Sequence, residues 1–227
     1  MSIEPHTSPA GNRRTAQREA LLDAASEMLV HGGPDAISLR KLAAKVGTST
    51  MAVYTAFGGK EGLVTALFEE AFDRLAALEQ AVPRNAEPLL WLADLARAYR
   101  SFALKNPSYY ALMISATLPV PASLRHAVPD GGEPAARSIT RHPSYRTLLD
   151  AVEACVAEGS FPADIESEIL ADALWAAVHG LSSLELAGFH ASAAAAEKRF
   201  HVTAEAVLRG LLTPKGLKKF DAITKAR

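Results

Sequence analysis

The sequence predicts an all-α fold. Three observations carry this: apolar residues recur with a 3.6-residue period in almost every segment, no stretch alternates with period two, and glycine or proline interrupts the pattern at short connections. The pattern yields about nine helices, arranged as a small trihelical front and a larger helical body. The 227 residues, 49% apolar and 22% charged, suffice for the core of one or two domains and exclude bulk disorder.

From Thr15 to His31, Leu21, Leu22, Ala25, Met28 and Leu29 form one stripe, and Gly32-Gly33-Pro34 is expected to stop that helix. Ser38 is a candidate N-cap for Leu39–Val46, and Ser49 for Thr50–Phe57. Gly58-Gly59 breaks again, and a long helix follows from Lys60 towards Ala81. Pro83 and Pro88 bracket a joint. Helices are then expected over Pro88–Lys105 and Ser108–Thr117. Residues 117–143 hold five prolines and Gly131-Gly132 and read as a long loop. Three helices remain: Ser144–Glu158, Asp164–Gly188 and Ala193–Leu212. Residues 213–227, with five basic side chains to one acidic, read as a frayed basic tail.

Composition limits function. Net charge is −1, but residues 1–60 carry seven Lys/Arg against five Asp/Glu, a basic front on an acidic body. The polar segment Met1–Gly11 lacks the apolar region of a secretory signal, and no window has the ~18 uncharged apolar residues of a membrane helix. One cysteine, Cys155, excludes an internal disulfide and a Cys-rich zinc site. It sits in an apolar stripe and is expected to be inert. A cytoplasmic protein is expected. The seven histidines never pair at HxxxH or HExxH spacing, and no GxSxG, P-loop or Rossmann glycine run occurs, so no metal, cofactor or enzyme activity is expected.

The informative stretch is Ser38–Lys60, SLRKLAAKVGTSTMAVYTAFGGK. Two short helices flank Gly47-Thr48, where the turn needs a residue tolerant of positive φ. Leu39, Leu42 and Val46 face inward on the first helix, Val53 and Phe57 on the second. The second helix leaves Thr48, Thr50, Ala52 and Thr55 outward, a surface slim enough for the ~12 Å major groove. Hydroxyls there can bond phosphates or base edges, and methyls can pack on thymine. The Tyr54 hydroxyl can reach a phosphate. Lys60 joins its charge to a positive helix end, and Arg13, Arg14 and Thr15 at the start of the first helix can clamp the backbone or enter the minor groove. An ordinary helical corner is the alternative reading.

From about Thr15 to Leu78 the chain resembles the DNA-binding domain of TetR-family transcriptional regulators, in LLDAASEMLVHGG, the Ser38–Gly47 helix, Thr48-Ser49, Val53-Tyr54, Phe57 and Lys60-Glu61. The resemblance implies a homodimer on double-stranded operator DNA, a recognition helix at about Thr48–Phe57 and a C-terminal domain for a small-molecule effector. Tyr54 and Lys60 match the usual phosphate contacts; Thr48, Thr50, Met51, Ala52 and Thr55 match groove-facing positions. With the caps Ser38 and Ser49 and the cluster Arg13, Arg14 and Thr15, these are the candidate DNA-binding residues. Met51 departs from the usual small residue, and Gly59 from the usual N-cap, at about 0.5 kcal/mol. AYRSFALKNPSYYALM and ALWAAVHGLSSLELAGF resemble a C-terminal domain named for a Trp-His-Gly run, here Trp175…His179-Gly180. The domains implied are 13–60 for DNA, a linking helix 60–81, 84–212 for ligand and dimerisation, and the tail 213–227.

Within the body, Trp91, Tyr99, Phe102, Tyr109, Tyr110 and Met113 suit an aromatic-lined cavity and suit plain core almost as well. Trp175 and His179 share one helical stripe. His179 there is either a ligand contact or a core histidine capping a carbonyl. Apolar stripes carrying Leu170, Leu174, Leu181 and Leu184 on one helix, and Phe200, Val207, Leu208 and Leu211 on the next, suit a two-fold four-helix interface; the alternative is that they cover their own core. The combined reading is a dimeric, ligand-responsive transcriptional regulator, a repressor by analogy. An enzyme, or a helical ligand-binding or interaction module without DNA binding, is the alternative, distinguished by salt-dependent binding to a palindromic duplex.

Overall fold

A computed structural model describes residues 9–84, 87–113 and 143–225. They form ten helices and no strand: α1 Pro9–Ala36, α2 Leu39–Val46, α3 Thr50–Phe57, α4 Lys60–Gln80, α5 Pro88–Lys105, α6 Pro107–Met113, α7 Pro143–Ala157, α8 Ser167–Leu186, α9 Ala193–Leu211 and α10 Pro214–Lys225. The all-α expectation holds, with one helix more than the periodicity indicated. Residues 117–142 of the expected loop lie outside the described residues, and Pro143 opens α7.

Two compact units emerge, divided at Phe72 and Asp73 within α4. The first holds the described residues up to Phe72 and those from Ser108 to Met113. Its α1 packs on α2, and α2 on α3. Leu21, Leu22, Ala25 and Leu29 of α1, Leu42 of α2, Val53 and Phe57 of α3, and Leu63 and Leu67 of α4 are all buried. Each of these leucine, valine and phenylalanine side chains contributes about 1.5–3 kcal/mol on leaving water. Helix α1 does not stop at Gly32-Gly33-Pro34 but runs on to Ala36. A Cβ at position 32 would lie 2.4 Å from that of Ala36, so glycine makes room for the last turn. Between α3 and α4, Gly62 passes the Phe57 carbonyl so closely that a Cβ there would lie 1.9 Å from its oxygen.

The second unit runs from Asp73 to Pro107 and resumes at α7. Helix α5 packs against α7 and α8, and α8 against α9. Leu89, Trp91, Leu92 and Leu95 of α5, Leu149, Val152 and Cys155 of α7, Leu170 of α8 and Leu208 of α9 share one core. Burial pushes the Cys155 thiol up, so it stays protonated and inert. The expected frayed tail is instead α10, which places Phe220, Leu217 and Ile223 against this core. Thr213 anchors it, donating its N–H to Ser160 O (2.9 Å) and its hydroxyl to Gly159 O (2.7 Å). The basic residues of this segment are partly engaged: Lys219 pairs with Glu87 at 2.8 Å and with Glu158.

One described helix, α8, is long and apolar enough to cross a membrane by length and composition, although Glu168, Asp172 and Glu185 interrupt it, so it is not an uncharged apolar window. Much of this apolar content is a second, outward face. Ile169, Leu184 and Leu186 are exposed on it, as is Val202 on α9.

Candidate nucleic-acid interface

Local chemistry builds the α2–α3 pair. Ser38 Oγ accepts the Lys41 N–H at 3.4 Å and starts α2. Gly47 ends it with φ 74°, the left-handed conformation that costs other residues about 1–2 kcal/mol. The Thr48 N–H then donates back to Ala43 O at 2.9 Å. Ser49 Oγ accepts the Ala52 N–H at 3.1 Å and starts α3. The sequence motif supplies both caps as expected, and their acceptor oxygens serve the helices.

Helix α3 turns Val53 and Phe57 inward, and the Arg18 guanidinium covers the Phe57 ring at 5.6 Å. Outward stand Met51, 73% exposed, Tyr54, 51% exposed, and Thr55, whose hydroxyl donates to Met51 O at 2.9 Å. Thr50 and Ala52 are half-buried beside them. Lys60 is exposed at the first turn of α4. Arg13, Arg14 and Thr15 are exposed too, but α1 begins at Pro9, so they lie within the helix rather than at its start. The structure adds a residue that the sequence reading missed: Gln17 Nε2 donates to Thr48 Oγ1 at 2.8 Å.

Charges of the basic front divide into two groups. Lys45 pairs with Glu27 at 2.7 Å and holds that carboxyl below its ordinary range, and Arg18 pairs with Glu70 at 3.6 Å. Among the described residues, Arg14, Arg40, Lys41 and Lys60 are exposed without an ion-pair partner.

The aromatic candidates are divided between the two units. Tyr109, Tyr110 and Met113 belong to the first unit, where the Tyr109 hydroxyl donates to Asp23 Oδ1 of α1 at 3.0 Å. In the second unit Trp91 lies in the core beneath the Arg84 guanidinium, 4.9 Å from its ring centre, and Phe102 is fully buried. Tyr99, Trp175 and His179 do converge. Trp175 Nε1 donates to the Tyr99 oxygen at 3.2 Å, and that hydroxyl lies 2.9 Å from His179 Nδ1. Indole can only donate, so the Tyr99 oxygen accepts from Trp175, and the direction of its bond with His179 follows the imidazole tautomer. Burial lowers the His179 pKa and favours the neutral ring. At Nδ1 His179 thus bonds a side chain. A separate groove of about 250 Å³ lies between α5 and α9, lined by Arg97, Arg100 and Lys105 opposite Glu197, Phe200 and His201. Behind it Arg100 and Glu185 form a two-pronged ion pair at 2.7 and 2.8 Å.

The residues of the expected interface stripe lie at different depths in the protomer. Leu170, Phe200 and Leu208 are buried within the protomer, and Leu174 and Leu211 pack against the same core. Leu181 and Val207 are half-buried; only Leu184 is exposed. Period alone does not say which of two apolar faces turns inward.

Residues 21–67 match bacterial regulatory proteins of the tetR family, and residues 92–207, just over half the chain, match the tetracyclin repressor-like C-terminal domain. The chain is similar to the HTH-type transcriptional regulator Rv1816 of Mycobacterium tuberculosis, 27% identical over 212 residues that span 80% of this chain and 87% of that protein. It is similar in structure to a protein of unknown function from Rhodococcus sp. RHA1, at a TM-score of 0.64 and 27% identity over 93% of this chain and all of the other. PfmR, a TetR family transcriptional regulator from Thermus thermophilus, shares the fold at a TM-score of 0.61 and 19% identity, over 83% of this chain and 97% of its own. The chain therefore belongs to the TetR family of bacterial helix-turn-helix transcriptional regulators, with α2 and α3 as its helix-turn-helix.

Proposed function

We propose that this regulator is a cytoplasmic repressor that binds a near-palindromic operator as a homodimer and leaves it when a small molecule binds the C-terminal domain. The observation that carries the DNA reading is the outward surface of α3: Met51, Tyr54 and Thr55 exposed, with only Val53 and Phe57 of that helix buried. Thr48, Thr50, Met51, Ala52 and Thr55 face the groove, where their hydroxyls bond phosphates or base edges and their apolar groups pack on bases. Tyr54, Lys60, Arg13, Arg14 and Thr15 hold the phosphate backbone. Residues 13–60 carry the DNA function and continue into a linking helix over 60–81; residues 84–212 carry ligand binding and dimerisation.

One recognition helix offers too little contact for tight specific binding. The exposed Ile169, Leu184 and Val202 supply the apolar surface for a second copy, with α8 and α9 of each subunit forming a four-helix interface. Two recognition helices about 34–36 Å apart then enter successive major grooves. The C-terminal domain is of the Trp-His-Gly type, and Tyr99, Trp175 and His179 are its effector-facing polar groups. An effector acts by preferring a conformer with the wrong spacing, to the extent of its differential affinity. No cofactor is required. Selection of bound duplexes from a random pool tests this: two-fold half-sites one helical turn apart are expected, and an asymmetric site or no enriched site refutes the dimeric operator reading.

A further inference from the structure

Gln17 lies four residues after Arg13 and three after Arg14, so all three share one face of α1. Its amide spans thirty-one residues of sequence to meet Thr48 Oγ1 at 2.8 Å. Thr48 occupies the turn, with its backbone N–H fixed on Ala43 O. The next residue, Ser49, has its hydroxyl oxygen committed to the Ala52 N–H. Thr48 is thus the hydroxyl of the turn that is held from α1 rather than used as a cap.

A threonine hydroxyl has one hydrogen and two lone pairs, whereas an amide NH₂ only donates. With the Gln17 amide on one lone pair of Oγ1, the hydroxyl hydrogen cannot point back at that nitrogen. It is left to donate elsewhere.

We propose that Gln17 is a positioning residue of the DNA interface: by donating to Thr48 it turns the threonine hydroxyl hydrogen towards a backbone phosphate oxygen and ties the start of α3 to the basic face of α1. This rests on the DNA-binding reading above. A hydroxyl donating to an ionised phosphate is a charge-assisted bond, stronger than a neutral one. Gln17 acts through Thr48 and carries no charge, so its loss weakens binding without removing a counterion-releasing contact.

Polarity provides the test. Glutamate has the shape of glutamine but only accepts, so Gln17→Glu draws the Thr48 hydrogen back to α1. A duplex recovered by selection from a random pool serves as probe, and dissociation constants are read by fluorescence anisotropy at fixed salt. Thr48→Val is expected to bind about tenfold more weakly, and Gln17→Ala about fivefold. In the Thr48→Val background, Gln17→Ala should add less than about twofold, because the group it positions is gone. Gln17→Glu should exceed the Gln17→Ala loss, and its effect in the Thr48→Val background measures charge repulsion alone. Gln17 is exposed, so the urea midpoint of Gln17→Ala should match wild type. Wild-type affinity in Gln17→Ala, or equal losses with and without the Thr48 hydroxyl, would overturn the proposal while leaving the DNA reading intact. A wild-type protein that binds no duplex overturns both.

Discussion

Replacing Gly62 by alanine sets two opposing effects against each other. Gly62 lies in the first turn of α4, where alanine is the better helix former by about 1 kcal/mol. The added Cβ, however, would lie 1.9 Å from the Phe57 carbonyl oxygen and 3.1 Å from its carbon. Ordinary C···O contacts begin near ~3.3 Å, so the backbone of α3 or α4 must yield by about 1.4 Å. No flexible side chain can absorb that, because the opposing atoms are main chain at the end of the recognition helix. Overpacking of this kind costs about 1–3 kcal/mol or more, which outweighs the propensity gain and leaves Gly62→Ala less stable by about 2 kcal/mol. Gly180 in α8 is the control: no atom lies within 4 Å of a Cβ built there, so Gly180→Ala should be neutral or stabilising by about 0.5–1 kcal/mol. Urea denaturation followed by circular dichroism measures both. Gly62→Ala at or above wild-type stability would refute the close approach, and with it the account of how α3 is seated.

Other parts of the molecule make equally definite predictions. Tyr99→Phe removes the acceptor of Trp175 and the hydrogen-bond partner of His179, and should lower stability by about 1–3 kcal/mol in the same denaturation assay. Burial raises the Glu79 carboxyl to about 8 from 4.5, so the folded chain holds a proton that the unfolded chain has lost; its stabilisation is full below 4.5 and disappears as pH rises through 8. Glu79→Gln should therefore be more stable than wild type at alkaline pH and lose that advantage in acid; an advantage independent of pH would exclude titration as its cause. Leu184→Asp puts a charge on the exposed face of α8 and should convert the proposed dimer to monomers in sedimentation velocity without changing protomer helicity; an unchanged dimer would remove that face from the interface.

The front of the molecule was legible because its determinants are local. Ser38, Gly47 and Ser49 act within five residues of themselves, and the caps and the left-handed turn fall where their chemistry demands. Legibility fails where a choice depends on the rest of the fold. Helix α8 has apolar residues on two faces, and only packing against α5, α7 and α9 decides that Leu170 goes in while Ile169 stays out. The segment after Leu212 advertises its lysines, yet Leu217, Phe220 and Ile223 also recur at helical spacing and find a core to cover. Aromatic residues close in sequence part company, Tyr99 to one unit and Tyr109 to the other. The Gln17–Thr48 bond has no sequence signature, since it joins residues thirty-one apart.

The same distinction governs the electrostatics of DNA binding. Counting charges gives the front a surplus of two cations, too few to explain tight binding to a polyanion. The structure changes what that count means. Glu27 and Glu70 are taken up by Lys45 and Arg18, so these acids and bases act as short-range dipoles and contribute little field at a phosphate several ångströms away. Asp23, the acceptor of the Tyr109 hydroxyl, is likewise turned to an internal contact. What an approaching duplex meets is the unpaired set Arg14, Arg40, Lys41 and Lys60 together with the exposed Arg13 of the proposed phosphate clamp. If each neutralises one phosphate, a protomer releases at most five counterions, and a dimer on both half-sites ten. At about 0.9 per phosphate, the logarithm of affinity should fall against the logarithm of salt with a slope no steeper than about −9. Measuring that slope on a selected duplex, and again for Lys60→Ala, separates the alternatives. Lys60→Ala in both subunits should make the slope shallower by about 2. A slope near zero would mean that the unpaired cations do not face phosphates and that the duplex is not gripped through this surface.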